Sequence, residues 1–156
     1  MEITDTKTQL IKTLLEKLTF PAAAVDLREV DGGIVVDIQL DEADSGVLIG
    51  YHGEKIDALQ LIVNLLLNQN NLVYTPVQVD VNGYRDRRKQ NLEELADKAA
   101  LKATESGREI LLPHLPSYER RIVHMYLQNR PDVTTYSEGE GEDRRLVVRP
   151  TAATTE

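Results

Sequence analysis

Two stretches of this sequence carry residues whose types and spacing could hold phosphate. Gly50-Tyr51-His52-Gly53 follows Leu48-Ile49 and opens an apolar helical pattern, and Arg120-Arg121-Ile122-Val123-His124 lies inside another. Two residues without a Cβ allow backbone N–H groups to approach a nucleic-acid backbone closely. Arg120 and His124, four apart, project from one helical face. Arg120 offers a planar, permanently charged fork for a phosphate or a stacking surface for a base, and His124 can donate to a phosphate oxygen or stack. Arg121 points about 100° around the helix, placed to pair with Glu119 or to join the patch. Each signal has a plainer explanation. Glycine pairs often just permit a tight turn between helices, and an arginine four residues before a histidine is common on helical surfaces. Occurring together, they point to single-stranded nucleic acid.

The loop's own charges are poor for that purpose. Lys55 is its only cation, His52 adds charge only when protonated, and Asp41, Glu42, Asp44, Glu54 and Asp57 crowd the same stretch. Tyr51 could stack on a base, a contact worth ~1–3 kcal/mol, or simply face solvent. A further basic cluster, Arg85-Asp86-Arg87-Arg88-Lys89, begins a long helical pattern. Cations near a helix N-terminus are mildly unfavourable, so Arg85 and Arg88 are candidate contacts to an outside partner. Asp86, Glu93 and Glu94 offer the alternative of a balanced, solvated face. Arg144 and Arg145 alternate along a strand, so only one of them can share the Arg120 surface.

With 156 residues, the chain has room for one ordinary domain or two small ones. Its 41% apolar and 28% charged residues describe a globular protein rather than a disordered one. No apolar run approaches the roughly 18–20 residues that span a bilayer, so no membrane insertion is expected. The start of the sequence lacks a signal pattern. There is no cysteine, which excludes disulfides and thiolate chemistry and makes the cytoplasm the expected compartment. His52, His114 and His124 lack metal-ligand spacing, no nucleophile elbow or Walker-type loop occurs, and Glu138 and Glu142 read as turn residues. Neither catalysis nor a cofactor is expected. The net charge of −8 seems wrong for a nucleic-acid binder until it is divided. Through Tyr84 five bases face thirteen acids; from Arg85 onward thirteen face thirteen. The negative excess thus belongs entirely to the first half.

Hydrophobic periodicity gives helices over 6–18, 54–68, 85–104 and 118–128. Strands are expected over 25–30, 34–40, 75–81, 109–112, 133–137 and 146–149, with Asp31-Gly32-Gly33 as a hairpin turn. Asp44 and Ser45 are the expected caps of a short helix ending at Gly50, Ser117 that of the helix after it, and Gly107 a C-cap. The 54–68 helix carries Leu61, Ile62 and Leu65 beyond its main stripe of Ile56, Leu59, Val63, Leu66 and Leu67. It is either buried on most sides or turned in part toward a partner subunit. The halves abut at Gly83-Tyr84, giving domains at 1–83 and 84–150 with a frayed tail at 151–156.

Two strands before Gly50–Gly53 and one behind resemble a KH domain of the bacterial (type II) αββααβ order, whose loop clamps about four nucleotides. Tyr118 to His124, with Tyr136-Ser137-Glu138-Gly139-Glu140-Gly141 and Arg144-Arg145-Leu146-Val147-Val148, resembles an Arg-x-x-x-His (R-three-H) single-stranded nucleic-acid-binding domain, itself a small α+β unit. In this order the two resemble the Jag family (SpoIIIJ-associated, KhpB/EloR-like proteins) over most of residues 6–150. The family's usual N-terminal domain and linker are not in this sequence. The resemblance implies an α+β protein that binds single-stranded RNA, with single-stranded DNA a further ligand, as a regulator linked to cell elongation and division. It also implies pairing through the KH domain, as a homodimer or with a small single-KH protein. By this reading nucleic acid contacts Gly50, Tyr51, His52, Gly53, Lys55, Arg85, Arg88, Arg120, Arg121, His124, Arg144 and Arg145. The rival is a protein-interaction module whose acidic KH half dimerises and no longer binds RNA.

Overall fold

The computed structural model describes residues 2–69 and 71–151. It divides into two compact units, Met1–Arg85 and Asp86–Glu156. The first runs α1 (Glu2–Lys17), β1 (Ala24–Val30), β2 (Gly33–Gln39), α2 (Glu42–Ile49), a 3₁₀ turn (Tyr51–Gly53), α3 (Glu54–Asn68) and β3 (Val77–Val81), the αββααβ order. β1 and β2 are antiparallel, joined by a two-residue turn in which Asp31 and Gly32 both take positive φ. β3 lies parallel to β2, which requires a long crossover, and α2 with α3 supplies it. The order across the sheet is β1-β2-β3.

Period-two alternation sends Ile34, Val36 and Ile38 of β2 and Val77, Val79 and Val81 of β3 into one core with Ile11, Leu15, Ile56, Leu59 and Val63. On the opposite face the register aligns Asp26, Asp37 and Asp80 in one row across the three strands. Arg28 pairs with Asp37 there and lies 3.5 Å from Asp26.

α3 is not buried on most sides. Ile56, Leu59, Val63 and Leu67 face the core, whereas Leu61, Ile62 and Leu65 remain 61%, 42% and 65% exposed. A three-stranded sheet covers one face of a helix and leaves these three side chains outside the core. The cap of α2 also differs from the sequence expectation. Asp41 accepts from the Asp44 amide at 2.8 Å, so the helix starts three residues before Ser45. Ser45 is buried and donates to the Glu42 carbonyl instead.

The second unit consists of α4 (Tyr84–Ser106, whose first two residues belong to the first unit), β4 (Ile110–Leu111), α5 (Ser117–Leu127), β5 (Val133–Glu138), a 3₁₀ turn (Gly141–Asp143) and β6 (Arg145–Pro150). Its strands are antiparallel in the order β4-β6-β5. Leu92 and four alanines of α4 (Ala96, Ala99, Ala100, Ala103) pack on Leu115, Val123, Leu127, Val133, Leu146 and Val148; the small side chains let the helix lie close. Gly107, at φ +63°, ends α4. Ser117 is the first residue of α5 rather than its cap; Pro116 holds that position. Thr151 is not frayed: its amide and hydroxyl bind the carbonyls of Asp132 and Pro131 at 3.0 and 2.7 Å. The rest of the expected tail, 152–156, lies outside the described residues. No helix among the described residues is long and apolar enough to cross a membrane.

Candidate nucleic-acid interface

Between α2 and α3 the chain reverses over four residues, and both glycines are required by the backbone. Gly50 combines φ +72° with ψ −174°, a region that excludes a side chain. Gly53 has φ +83°, and a Cβ there would meet the Tyr84 ring at 3.0 Å. Their amides are not offered to a ligand. Gly50 N–H donates to Gly46 at 3.1 Å, Gly53 N–H to Gly50 at 3.4 Å, and Glu54 N–H to Tyr51. The tightness of the turn thus commits both glycine amides to bonds within the chain. Tyr51 stands 70% exposed with its ring edge-on to His52, centroids 4.1 Å apart. The Lys55 stem folds back over Gly50, leaving a loop with one cation and one exposed aromatic.

The cluster that opens α4 is engaged within the protein. Arg85 donates to the Val79 carbonyl at 3.0 Å, to Gln60 at 2.9 Å and to Asp57 at 3.1 Å. Arg88 forks onto Glu119 with bonds of 2.6 and 2.8 Å. Glu119 is fully buried. Arg85 and Arg88, expected at a nucleic-acid surface, each pair with an acid of their own unit. That internal partner, not an outside one, explains cations at the start of a helix.

α5 arranges the remaining candidates. Glu119, Val123 and Leu127, at i, i+4 and i+8, are its buried stripe and fix its rotation. Arg120, Arg121 and His124 then line one side of a groove of about 510 Å³. Thr135, Tyr136 and Ser137 of β5 form the other side, with Arg144 and Leu146 closing it. Arg120 donates to the Leu115 carbonyl at 2.6 Å and to the Ser117 hydroxyl at 3.0 Å, which positions its fork before any ligand arrives. His124 Nδ1 lies 2.6 Å from the Thr135 hydroxyl, fixing the imidazole across the groove. The side chains of Arg121 and Arg144 make no hydrogen bond or ion pair among the described residues. Arg121 does not reach Glu119, whose carboxylate belongs to Arg88. Arg145 faces away, bonded to the Glu142 carbonyl and to His114 at 3.2 Å.

Tyr136 is braced from behind. Its hydroxyl donates to Glu109 at 3.0 Å, and the Arg149 guanidinium sits 4.8 Å from its ring centroid. Hydrogen bonds from Arg149, then from Tyr136, hold the Glu109 carboxyl below the usual carboxylate range. Burial, reinforced by Glu109, raises the Tyr136 hydroxyl and keeps it neutral. The groove thus combines one anchored guanidinium, two unpaired among the described residues, hydroxyl groups and one immobilised aromatic, the groups that bind a phosphodiester and stack a base. Thr135, Tyr136 and Ser137 were not among the expected contacts; Tyr136 and Ser137 were marked only by their place in the motif's flank, and Thr135 by no sequence signal. Among the described residues no cluster of histidine and acid side chains could hold a metal.

Comparison with known proteins bears on both units. Residues 8–81 match the KhpA/KhpB KH-domain model, and residues 90–150 match the model of the Arg-x-x-x-His (R-three-H) domain. The chain is 38% identical over 125 residues to the RNA-binding protein KhpB of Clostridium symbiosum, covering 80% of this chain and 55% of that one. It is 39% identical over 106 residues to the protein of that name from Bacillus subtilis strain 168 (67% and 51% covered). Against that of Lactiplantibacillus plantarum it is 36% identical over 117 residues (75% and 36%). The chain therefore spans from about a third to just over half the length of these relatives. Neither matched domain type is a catalytic one. A KH unit of the αββααβ order and an Arg-x-x-x-His unit, in the succession these relatives share, place this chain in the Jag family.

Proposed function

We propose that this chain is a cytoplasmic, non-catalytic protein that binds single-stranded RNA, and that the Arg120 groove is the principal contact. The observation that carries this reading is the pair Arg121 and Arg144. Arg28, Arg85, Arg88, Arg130 and Arg149 each neutralise an acid, whereas the groove keeps these two guanidiniums for a ligand. The relatives' name, RNA-binding protein, supports RNA. The KH loop contributes Tyr51, His52 and Lys55 as a secondary grip. Arg120→Ala should weaken binding to an unstructured oligoribonucleotide and lower the salt slope by about 0.7 for each phosphate no longer neutralised. Fluorescence anisotropy across a salt series reads both; an affinity and slope equal to wild type would reject the groove. The regulatory role in cell elongation and division follows from the family alone, and complementation of a deletion strain with the Arg120→Ala chain tests it.

A second reading is favoured by the exposed face of α3. Leu61, Ile62 and Leu65 form an apolar surface on an otherwise acidic unit, suited to pairing with another copy or with a small KH protein. Leu65→Glu should abolish a concentration-dependent dimer in sedimentation equilibrium while leaving RNA affinity per chain unchanged. A wild-type chain that stays monomeric at every concentration, alone and with a single-KH protein, removes this reading.

A further inference from the structure

A second groove opens along α5 on the other side of Arg121. Tyr118, Ile122, Met125 and Tyr126 line it from α5, and Lys89 and Glu93 from α4; Arg121 lines both grooves. Tyr118, Met125 and Tyr126 remain 43%, 54% and 39% exposed, an unusual density of large side chains on a helix flank. Both tyrosines are tied at their hydroxyl ends. Tyr126 donates to Asp97 at 2.9 Å, and Tyr118 reaches the buried Glu119 carboxylate at 3.4 Å. Such rings lose little further freedom when a flat ligand packs on them. The acids nearby are already partnered, Glu93 loosely with Lys89 at 3.9 Å and Asp97 with Arg130 at 3.0 Å. What faces the groove is apolar carbon, a thioether, two cations and one acid, Glu93, held loosely by Lys89.

We propose, resting on the assignment of single-stranded RNA to the Arg120 groove, that this second groove is a base-binding subsite for the same strand. Arg121 holds the phosphate at the crest between the grooves. The next nucleobase packs against Tyr118 and Met125, and Lys89 neutralises the phosphate beyond. Continuity with the arginine groove, Arg121 at the crest (unpaired among the described residues) and the loose 3.9 Å hold of Glu93 on Lys89 favour nucleic acid over a peptide. Aromatic and thioether packing tolerates any base, so this subsite lengthens the footprint without imposing a sequence.

The test uses the full chain and a labelled, unstructured oligoribonucleotide. Tyr118→Ala should weaken binding about tenfold, within the range expected for one base stack, with the salt slope unchanged. Tyr118→Phe should bind as wild type. An abasic residue at the stacked position should erase the difference between wild type and Tyr118→Ala. Ultraviolet crosslinking of the wild-type complex followed by peptide mass spectrometry should place an adduct on Tyr118 or Met125, which decides the matter even if Tyr118→Ala fails to fold. Full affinity in Tyr118→Ala together with adducts confined to the Arg120 groove overturns the subsite and leaves the principal site standing. A wild-type chain that binds no oligoribonucleotide overturns both.

Discussion

Replacing Arg88 by methionine should cripple the second unit without touching its ligand groove. Glu119 has no solvent exposure and receives two parallel bonds from Arg88, whose side chain is 24% exposed. Removing the guanidinium leaves a carboxylate in the core, and breaking a buried pair in this way costs about 3–5 kcal/mol. A unit of this size has a stability of roughly 4–10 kcal/mol at ~0.05–0.15 kcal/mol per residue, so the single change removes a large part of it. At ~4–8 °C per kcal/mol the midpoint falls by more than about 10 °C. The double replacement Arg88→Met with Glu119→Leu removes both charges and should recover most of the loss, because apolar isosteres of buried pairs are often neutral or stabilising. Urea unfolding of the full chain, followed through the amide resonances of Val123 and Leu127, reports this unit alone, and the four chains complete a double-mutant cycle. RNA affinity of the folded double variant should equal wild type, since the Arg88 fork faces Glu119. A single variant within about 1 kcal/mol of wild type would refute the buried-pair argument. A double variant as unstable as the single would show that Arg88 acts through the packing of its stem.

Gly50→Ala should destabilise the first unit by about 1–3 kcal/mol, from its φ +72°, ψ −174° backbone and the approach of a Cβ to 2.7 Å from the Lys55 stem. A urea midpoint equal to wild type would place this loop in another conformation. Glu109 titrates below the ordinary carboxylate range because of Arg149 and then Tyr136, so its contribution is present at neutral pH and vanishes as pH falls through that lowered value. The urea midpoint of the second unit should therefore hold from neutrality to about pH 5 and decline below about pH 4. Glu109→Gln should flatten that decline; an identical profile in the variant would show that the Arg149–Tyr136 contacts do not form in solution.

Patterning made most elements legible and left partnership hidden. The αββααβ order follows from alternation at Ile34, Val36 and Ile38 and from the spacing of Ile56, Leu59 and Val63, because burial on one face imposes those periods. Helix caps went astray by one to four residues at Asp41 and Pro116. Several Asx and hydroxyl side chains near each start could serve, and backbone geometry selects among them. The ion pairs of Arg85 and Arg88 were hidden in the sequence because their acids lie far along the chain, Asp57 twenty-eight residues before Arg85 and Glu119 thirty-one after Arg88. One clue was present. Glu119 occupies an inward position of the Val123–Leu127 stripe, and an acid in that register requires a buried cation. Arg120, Arg121, His124 and Arg144 share a groove because the apolar stripe of α5 and the pairing of β5 with β6 leave their side outside the core.

Net charge is the wrong quantity by which to judge this molecule's ligand. At physiological ionic strength the screening length is about 8 Å, so a phosphate in the Arg120 groove responds to the guanidiniums lining it and only weakly to acids beyond that range. The acids of the first unit bear on what occurs at its own surface. The row of Asp26, Asp37 and Asp80 makes the open face of its sheet repellent to a polyanion, with Arg28 there already paired to Asp37. On the proposed reading a nucleic-acid strand meeting this unit should favour the Gly50–Gly53 end, where Lys55 and Tyr51 stand. That end holds one cation and few available amides, too little to gather counterions from several phosphates. On the proposed reading most of the salt dependence of binding should therefore arise in the second unit, whose formal charge is near zero but whose groove holds Arg121 and Arg144 without acid partners among the described residues.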